Sequence, residues 1–118
     1  MTLMTNPSAP IVQKSYELAL WLLPKVERFP RSYRFTVGDR ITAASLDLMA
    51  ALVEAAYASR RDAPLARAQQ QINTLRFLVR LAKDLKLIAA DSHGFVAERV
   101  DEIGRMAGGW RKAGEART

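Results

Sequence analysis

A chain of 118 residues, 49% of them hydrophobic, is long enough to bury one core unaided and too short for two. It has no cysteine, which excludes disulfides and thiolate metal sites and suits a reducing cytoplasm. Eighteen Lys and Arg against twelve Asp and Glu give a net charge of +6, most of it from arginine. The planar guanidinium suits phosphate, so the balance leans toward polyanionic partners, although a solvated charged face would give the same balance.

Residues 1–10 are polar, interrupted by Pro7 and Pro10, and read as a disordered leader with none of the features of a signal peptide. The longest apolar stretch, Leu18 to Leu23, is far short of a membrane span. A first helix is predicted from about Ile11 to Arg28, with Val12, Tyr16, Ala19, Leu20, Leu23 and Val26 as its apolar face. Pro24 should kink it without ending it, because the apolar period continues to Val26.

Phe29 to Phe35 breaks the pattern, since Pro30 disfavours a helical Phe29. A second helix is predicted to start at Thr36–Asp39, with Thr36 as cap and Asp39 returning the bond. It carries Ile41, Ala44, Leu48, Leu52 and Ala55 on one face and Leu46, Met49, Val53 and Ala56 beside it, ending near Ser59. After a turn at residues 60–64, with Asp62 a plausible cap, a third helix runs from about Ala63 to Leu87. A fourth, capped by Asp91 or Ser92, carries Val96, Val100, Ile103, Ala107 and Trp110 in heptad spacing. Residues 11–112 thus read as an all-α, up-down-up-down four-helix bundle, and residues 113–118 as a flexible tail weakened upstream by Gly108–Gly109.

Raw material for catalysis is scarce, and the chain reads as a non-enzyme. Its one histidine, His93, sits at a helix start and reads as a surface cap residue. No Walker loop, GxGxxG, GxSxG or paired Glu-x-x-His motif occurs, and one His without Cys argues against zinc, so no cofactor or metal is expected. Glu98, Asp101 and Glu102 are the only dense acids and read as a solvated face near a helix N-terminus.

The third helix is more specific. Gln69, Asn73, Arg76, Arg80 and Lys83 fall in one stripe about 80° wide. Three cations at i, i+4 and i+7 repel one another, and Arg76 has no acid three or four residues away. Two readings stay open: an anion-binding stripe, or cations paired with acids on a neighbouring helix or subunit. Residues 60–86 hold seven basic and two acidic side chains, so positive charge is concentrated there. A second basic cluster, Lys25, Arg28, Arg31, Arg34 and Arg40, is interleaved with Phe29, Tyr33 and Phe35, as suits phosphates and stacked bases. The same aromatics could simply plug the end of the bundle. The third helix is also apolar over roughly 220° of arc, more than one core absorbs. Phe77, Leu81 and Ile88 at one margin are the candidate subunit interface.

At these residues the chain resembles a known family. Leu23 to Arg40, LPKVERFPRSYRFTVGDR, and Leu75 to Ile88, LRFLVRLAKDLKLI, resemble four-helix-bundle proteins. These comprise the accessory variability determinant (Avd) of diversity-generating retroelements and the proteins encoded in intervening sequences of bacterial 23S ribosomal RNA genes. The resemblance runs from about Ile11 to Trp110, and the FPRSYRF element followed by Gly-Asp-Arg is its most specific part. It implies a homopentameric barrel with a basic surface that, in the retroelement branch, binds a reverse transcriptase and RNA or cDNA during mutagenic retrohoming. The lack of a base-reading signature predicts little sequence specificity. Arg76, Arg80 and Lys83 are the implied charge contacts, with Arg31 and Arg34 behind them, while the stripe itself adds Asn73 and Gln69 as candidate binding residues. The alternative branch implies an oligomeric protein-interaction module without a retroelement.

Overall fold

The computed structural model describes residues 9–116 and consists of helices without strands among them. We number the four long helices α1 (Ala9–Glu27), α2 (Asp39–Tyr57), α3 (Asp62–Asp84) and α4 (Ala90–Ala116). Each packs on its neighbours in sequence, and α4 closes the ring against α1, giving an up-down-up-down bundle with extents of 47 × 24 × 22 Å. The seam between α1 and α4 is the thinnest. Trp21 and Phe95 stack there at 5.2 Å, with Lys25 and Arg99 lying over the two rings. A bridge from Lys14 to Glu102 (3.3 Å) ties the same seam. Most of the expected leader lies outside the described residues, though Ala9 and Pro10 are already helical. At the other end α4 keeps its helical backbone through Gly108 and Gly109 to Ala116.

The core follows the heptad logic closely in three helices. Ile41, Ala44, Leu48, Leu52 and Ala55 of α2 are buried, as are Val96, Val100, Ile103 and Ala107 of α4. From α3 they meet Leu65, Ala68, Ile72, Leu75, Val79 and Ala82. In α1 the expected face holds only in part: Ala19 and Val26 are buried as read, and Val12 and Leu23 pack at the core's margin. Ile11, Ser15, Leu18, Leu22 and Val26 point inward, whereas Tyr16 and Leu20 are 49% and 58% exposed. That face buries Ser15, which is tolerated because its hydroxyl donates to the Val12 carbonyl (2.7 Å) and so enters the core already satisfied. A purely apolar periodicity overlooks that register. Pro24 lies inside α1, which continues to Glu27.

The entry to α2 also differs from expectation. Pro30 takes extended angles (φ −53°, ψ 147°) and the backbone turns helical immediately after it, through Arg31–Tyr33 and a π-helical segment, Arg34–Gly38, directly into α2. Thr36 is therefore inside a helix and not a cap; its hydroxyl faces the Ser32 and Tyr33 carbonyls at 3.4 and 3.3 Å. The wider turn brings Gly38 against α1, where an added Cβ would lie 2.9 Å from Val26 Cγ1. Only glycine permits that approach.

The third helix stops at Asp84, three residues before the predicted end. Leu87 N–H donates to the Ala82 carbonyl and Lys86 N–H to that of Lys83, a Schellman closure with Lys86 in the left-handed region at φ 64°. The apolar residues beyond it do not continue the helix; Leu87 and Ile88 fold back on the core from the connection. The helix starts also shift slightly. Arg61 occupies the cap position of α3 without a side-chain cap bond, and α4 begins at Ala90. Asp62 and Asp91 thus lie in first turns, where negative charge is favourable, instead of ahead of them.

Candidate nucleic-acid interface

The stripe on α3 is not an unbroken row of free cations. Arg76 reaches across to α4, where its Nε donates to Asp101 Oδ1 (2.9 Å), while a terminal nitrogen donates to Asn73 Oδ1 (2.8 Å). Its guanidinium lies over Gly104, where an added Cβ would stand 2.9 Å from Arg76 Nη2. Glycine at that position gives Arg76 its path to Asp101. Lys83 lies 3.6 Å from Asp84. Arg80 is exposed and forms no ion pair with any described residue, so it is the stripe's free charge. Gln69 is half-buried and Asn73 is exposed but spent on Arg76. Asp101 is exposed, as expected of a solvated acid, and is also the stripe's chief partner.

The second cluster divides by residue. Phe29 is 4% exposed and does plug the end of the bundle, whereas Phe35 stands 62% exposed. Arg34 is half-buried with its guanidinium over the Phe35 ring (5.5 Å), and its Nε has no acceptor in the protein. Arg28, Arg31 and Arg40 are exposed. Lys25 turns away toward Trp21 in the α1/α4 seam.

A third basic group, at the opposite end, escaped the sequence reading. The α2/α3 turn and the last turns of α4 enclose a cavity of about 370 Å³ lined by Arg60, Arg61, Asp62, Trp110 and Arg111, with Leu65 as its floor. The contributing segments lie some fifty positions apart in the chain. Trp110 packs in the heptad seam as its spacing predicts, and its ring also carries the Arg61 guanidinium at 5.3 Å.

Apolar surface is abundant. Phe77 and Leu81 are 69% and 44% exposed on α3. Ile88, grouped with them by helical spacing, lies past the end of α3 and is half-buried on the bundle's own core. Leu85 is exposed beside the ridge instead. A separate groove of about 730 Å³ runs between α1 and α2, walled by Tyr16, Leu20, Leu23, Pro24, Leu46 and Met49. Periodicity sets Leu46 and Met49 beside the core face of α2, but it places Tyr16, Leu20 and Leu23 on the expected core face of α1.

Among the described residues no group of three or more His, Cys, Asp or Glu side chains is placed to hold a metal ion, and no helix is long and apolar enough to cross a membrane. His93 is half-buried in the first turn of α4, its N–H donating to the Ala89 carbonyl. No curated protein and no solved structure matches the chain. A family model does, over residues 10–113, which spans all four helices and both basic ends: the chain belongs to the bAvd-like family.

Proposed function

We propose that this protein is a cytoplasmic, non-enzymatic accessory scaffold of a diversity-generating retroelement. It would form a homo-oligomeric ring, hold template RNA or cDNA by counterion release, and dock the reverse transcriptase on another surface to support mutagenic retrohoming. The observation that carries the reading is membership of the bAvd-like family across residues 10–113. Two further features support it. Several arginines form no ion pair with a described residue, Arg80 on α3 and Arg28, Arg31 and Arg40 near the first connection, and none of them sits in a base-reading motif. The exposed apolar surface also includes two pieces of unlike shape, a ridge at Phe77 and Leu81 and a groove between α1 and α2. A ridge of one subunit seated in the groove of the next is a head-to-tail contact, the kind that closes rings, and a pentamer is the size we expect.

Within the stripe, Arg80 is the leading charge contact, with Arg76, Lys83, Asn73 and Gln69 around it and Arg31 and Arg34 at the loop. A mobility-shift titration with a generic RNA should give binding that falls steeply with salt. The double variant Arg76→Ala/Arg80→Ala should weaken it, mostly through Arg80. Scattering mass should report several subunits, reduced by Phe77→Glu. Co-expression with a reverse transcriptase encoded beside the gene should yield a stable complex. Affinity indifferent to salt, or a locus without a reverse transcriptase and its template and variable repeats, would sink the retroelement reading.

The ion pairs Arg76 to Asp101 and Arg67 to Glu54 favour a second reading, because they use up cations inside the subunit. On that reading the protein is an oligomeric interaction module of the 23S intervening-sequence type. It would then assemble normally but bind no RNA.

A further inference from the structure

We propose that the cavity at the α2/α3 end of the bundle is a nucleotide-sized phosphate site, which takes the phosphate and adjoining base of a single nucleic-acid strand. The proposal rests on the polyanion reading above and gives it a place outside the α3 stripe. Three guanidinium groups, those of Arg60, Arg61 and Arg111, line a concavity with one carboxylate, Asp62. None of the three forms an ion pair with a described residue, in contrast to Arg67, Arg76 and Arg99 elsewhere on α3 and α4. Like charges gathered in a recess repel one another and raise the local potential, so the recess favours an anion over open solvent.

The arginines are also fixed in different degrees. Arg61 is half-buried and its plane lies against Trp110 at 5.3 Å, which holds the guanidinium in one place. Its Nε is shielded from solvent and has no acceptor within the protein. A donor held in that state favours an incoming oxygen acceptor, because buried polar groups are ordinarily paired. Arg60 and Arg111 are exposed and can swing onto the same anion. Guanidinium forks match phosphate bidentately, and several together in one recess multiply that match.

Size and shape narrow the ligand. A volume of about 370 Å³ accommodates one nucleotide and does not admit a duplex. The Arg61 plane, backed by the Trp110 ring, supplies a flat surface on which a base can stack, as single-strand sites use arginine planes and aromatic rings. An acidic peptide would satisfy the charge but leave that flat surface without a counterpart.

Trp110 makes the site directly observable. The chain has two tryptophans, so a Trp21→Phe background leaves Trp110 as sole reporter in the full-length protein. Titration with uridine 5′-monophosphate and with a twelve-residue oligouridylate should each change Trp110 emission, the oligomer at far lower concentration. Arg61→Gln/Arg111→Gln should abolish the emission change and weaken oligouridylate binding, read by anisotropy, about tenfold or more. Arg61→Lys/Arg111→Lys, which keeps the charge and loses the forks, should fall between. Because the lysine pair preserves charge, it serves if the glutamine pair does not fold. Oligouridylate bound with wild-type affinity by the variants, without an emission change, would overturn the pocket and leave the general polyanion reading standing. Emission responding to the mononucleotide while no oligomer binds would keep a phosphate pocket but overturn its use by a strand, and would sink that reading with it. An equal response to a polyglutamate peptide would overturn the assignment to phosphate and base.

Discussion

The stripe on α3 and the recess at the α2/α3 end hold similar numbers of basic side chains and treat them in opposite ways. In the stripe, Arg76 is engaged by Asp101 and Asn73, and Lys83 by Asp84, so its surface charge is largely neutralised from within. In the recess, Arg60, Arg61 and Arg111 face one acid and an aromatic ring. An array visible on one helical wheel is open to compensation by whatever helix packs beside it. A cluster assembled from two distant chain segments at a bundle's end has no such neighbour. Counting cations along one helix therefore overstates what is available to a ligand, and counting at the ends understates it.

The largest effect expected from this contrast is on salt dependence. With the three recess arginines and Arg80 as contacts, the logarithmic slope of single-strand affinity against salt should be near −3, a loss of about fifty-fold between roughly 50 and 200 mM. Arg61→Gln/Arg111→Gln should bring the slope to about −1.5, whereas Arg76→Ala should leave it nearly unchanged. Equal slopes for the two variants would erase the distinction between the regions.

The same contrast assigns Arg76 a structural role. Arg76→Ala removes the tie from α3 to α4 above Gly104 and should cost about 1 kcal/mol of stability in urea unfolding. The pair is partly exposed, so a larger loss is not expected. Asp101→Asn probes the compensation from the other side. It keeps an acceptor for Arg76 Nε but removes the negative charge, and should tighten RNA binding by about threefold at low salt. Unchanged affinity would mean that the stripe is silent for some reason other than pairing.

Much of the architecture was legible because it depends on spacing. The heptad Val96, Val100, Ile103, Ala107 and the α2 face Ile41 to Ala55 are buried as read. What escaped depends on contacts across the chain. Asp101 stands twenty-five positions from Arg76 and looked like one acid among three on a wet face. Ser15 is polar by type, yet one bond to its own helix lets it be buried, so an apolar count misses it as a core position. Gly38 gave no signal, because its use lies in the approach of Val26 from another helix. Trp110 was read for packing alone, although a large ring at a bundle's end can serve core and surface together.

The end of α3 supplies the smallest prediction and a control on the rest. The helix stops where Lys86 takes φ 64°, a conformation that costs a side-chain-bearing residue about 1 kcal/mol and glycine almost nothing. Lys86→Gly should therefore stabilise the protein by about 0.5 kcal/mol, since the freer unfolded chain of glycine offsets part of the relief. The substitution also removes one positive charge just beyond the stripe. If affinity tracks total charge on this helix, Lys86→Gly should weaken RNA binding as much as Arg80→Ala does. If affinity tracks unpaired arginines at particular places, the variant should melt higher and bind RNA within about twofold of the parent, one lost exposed charge being worth little. Measured together, melting temperature and affinity separate a backbone effect from an electrostatic one at a single residue.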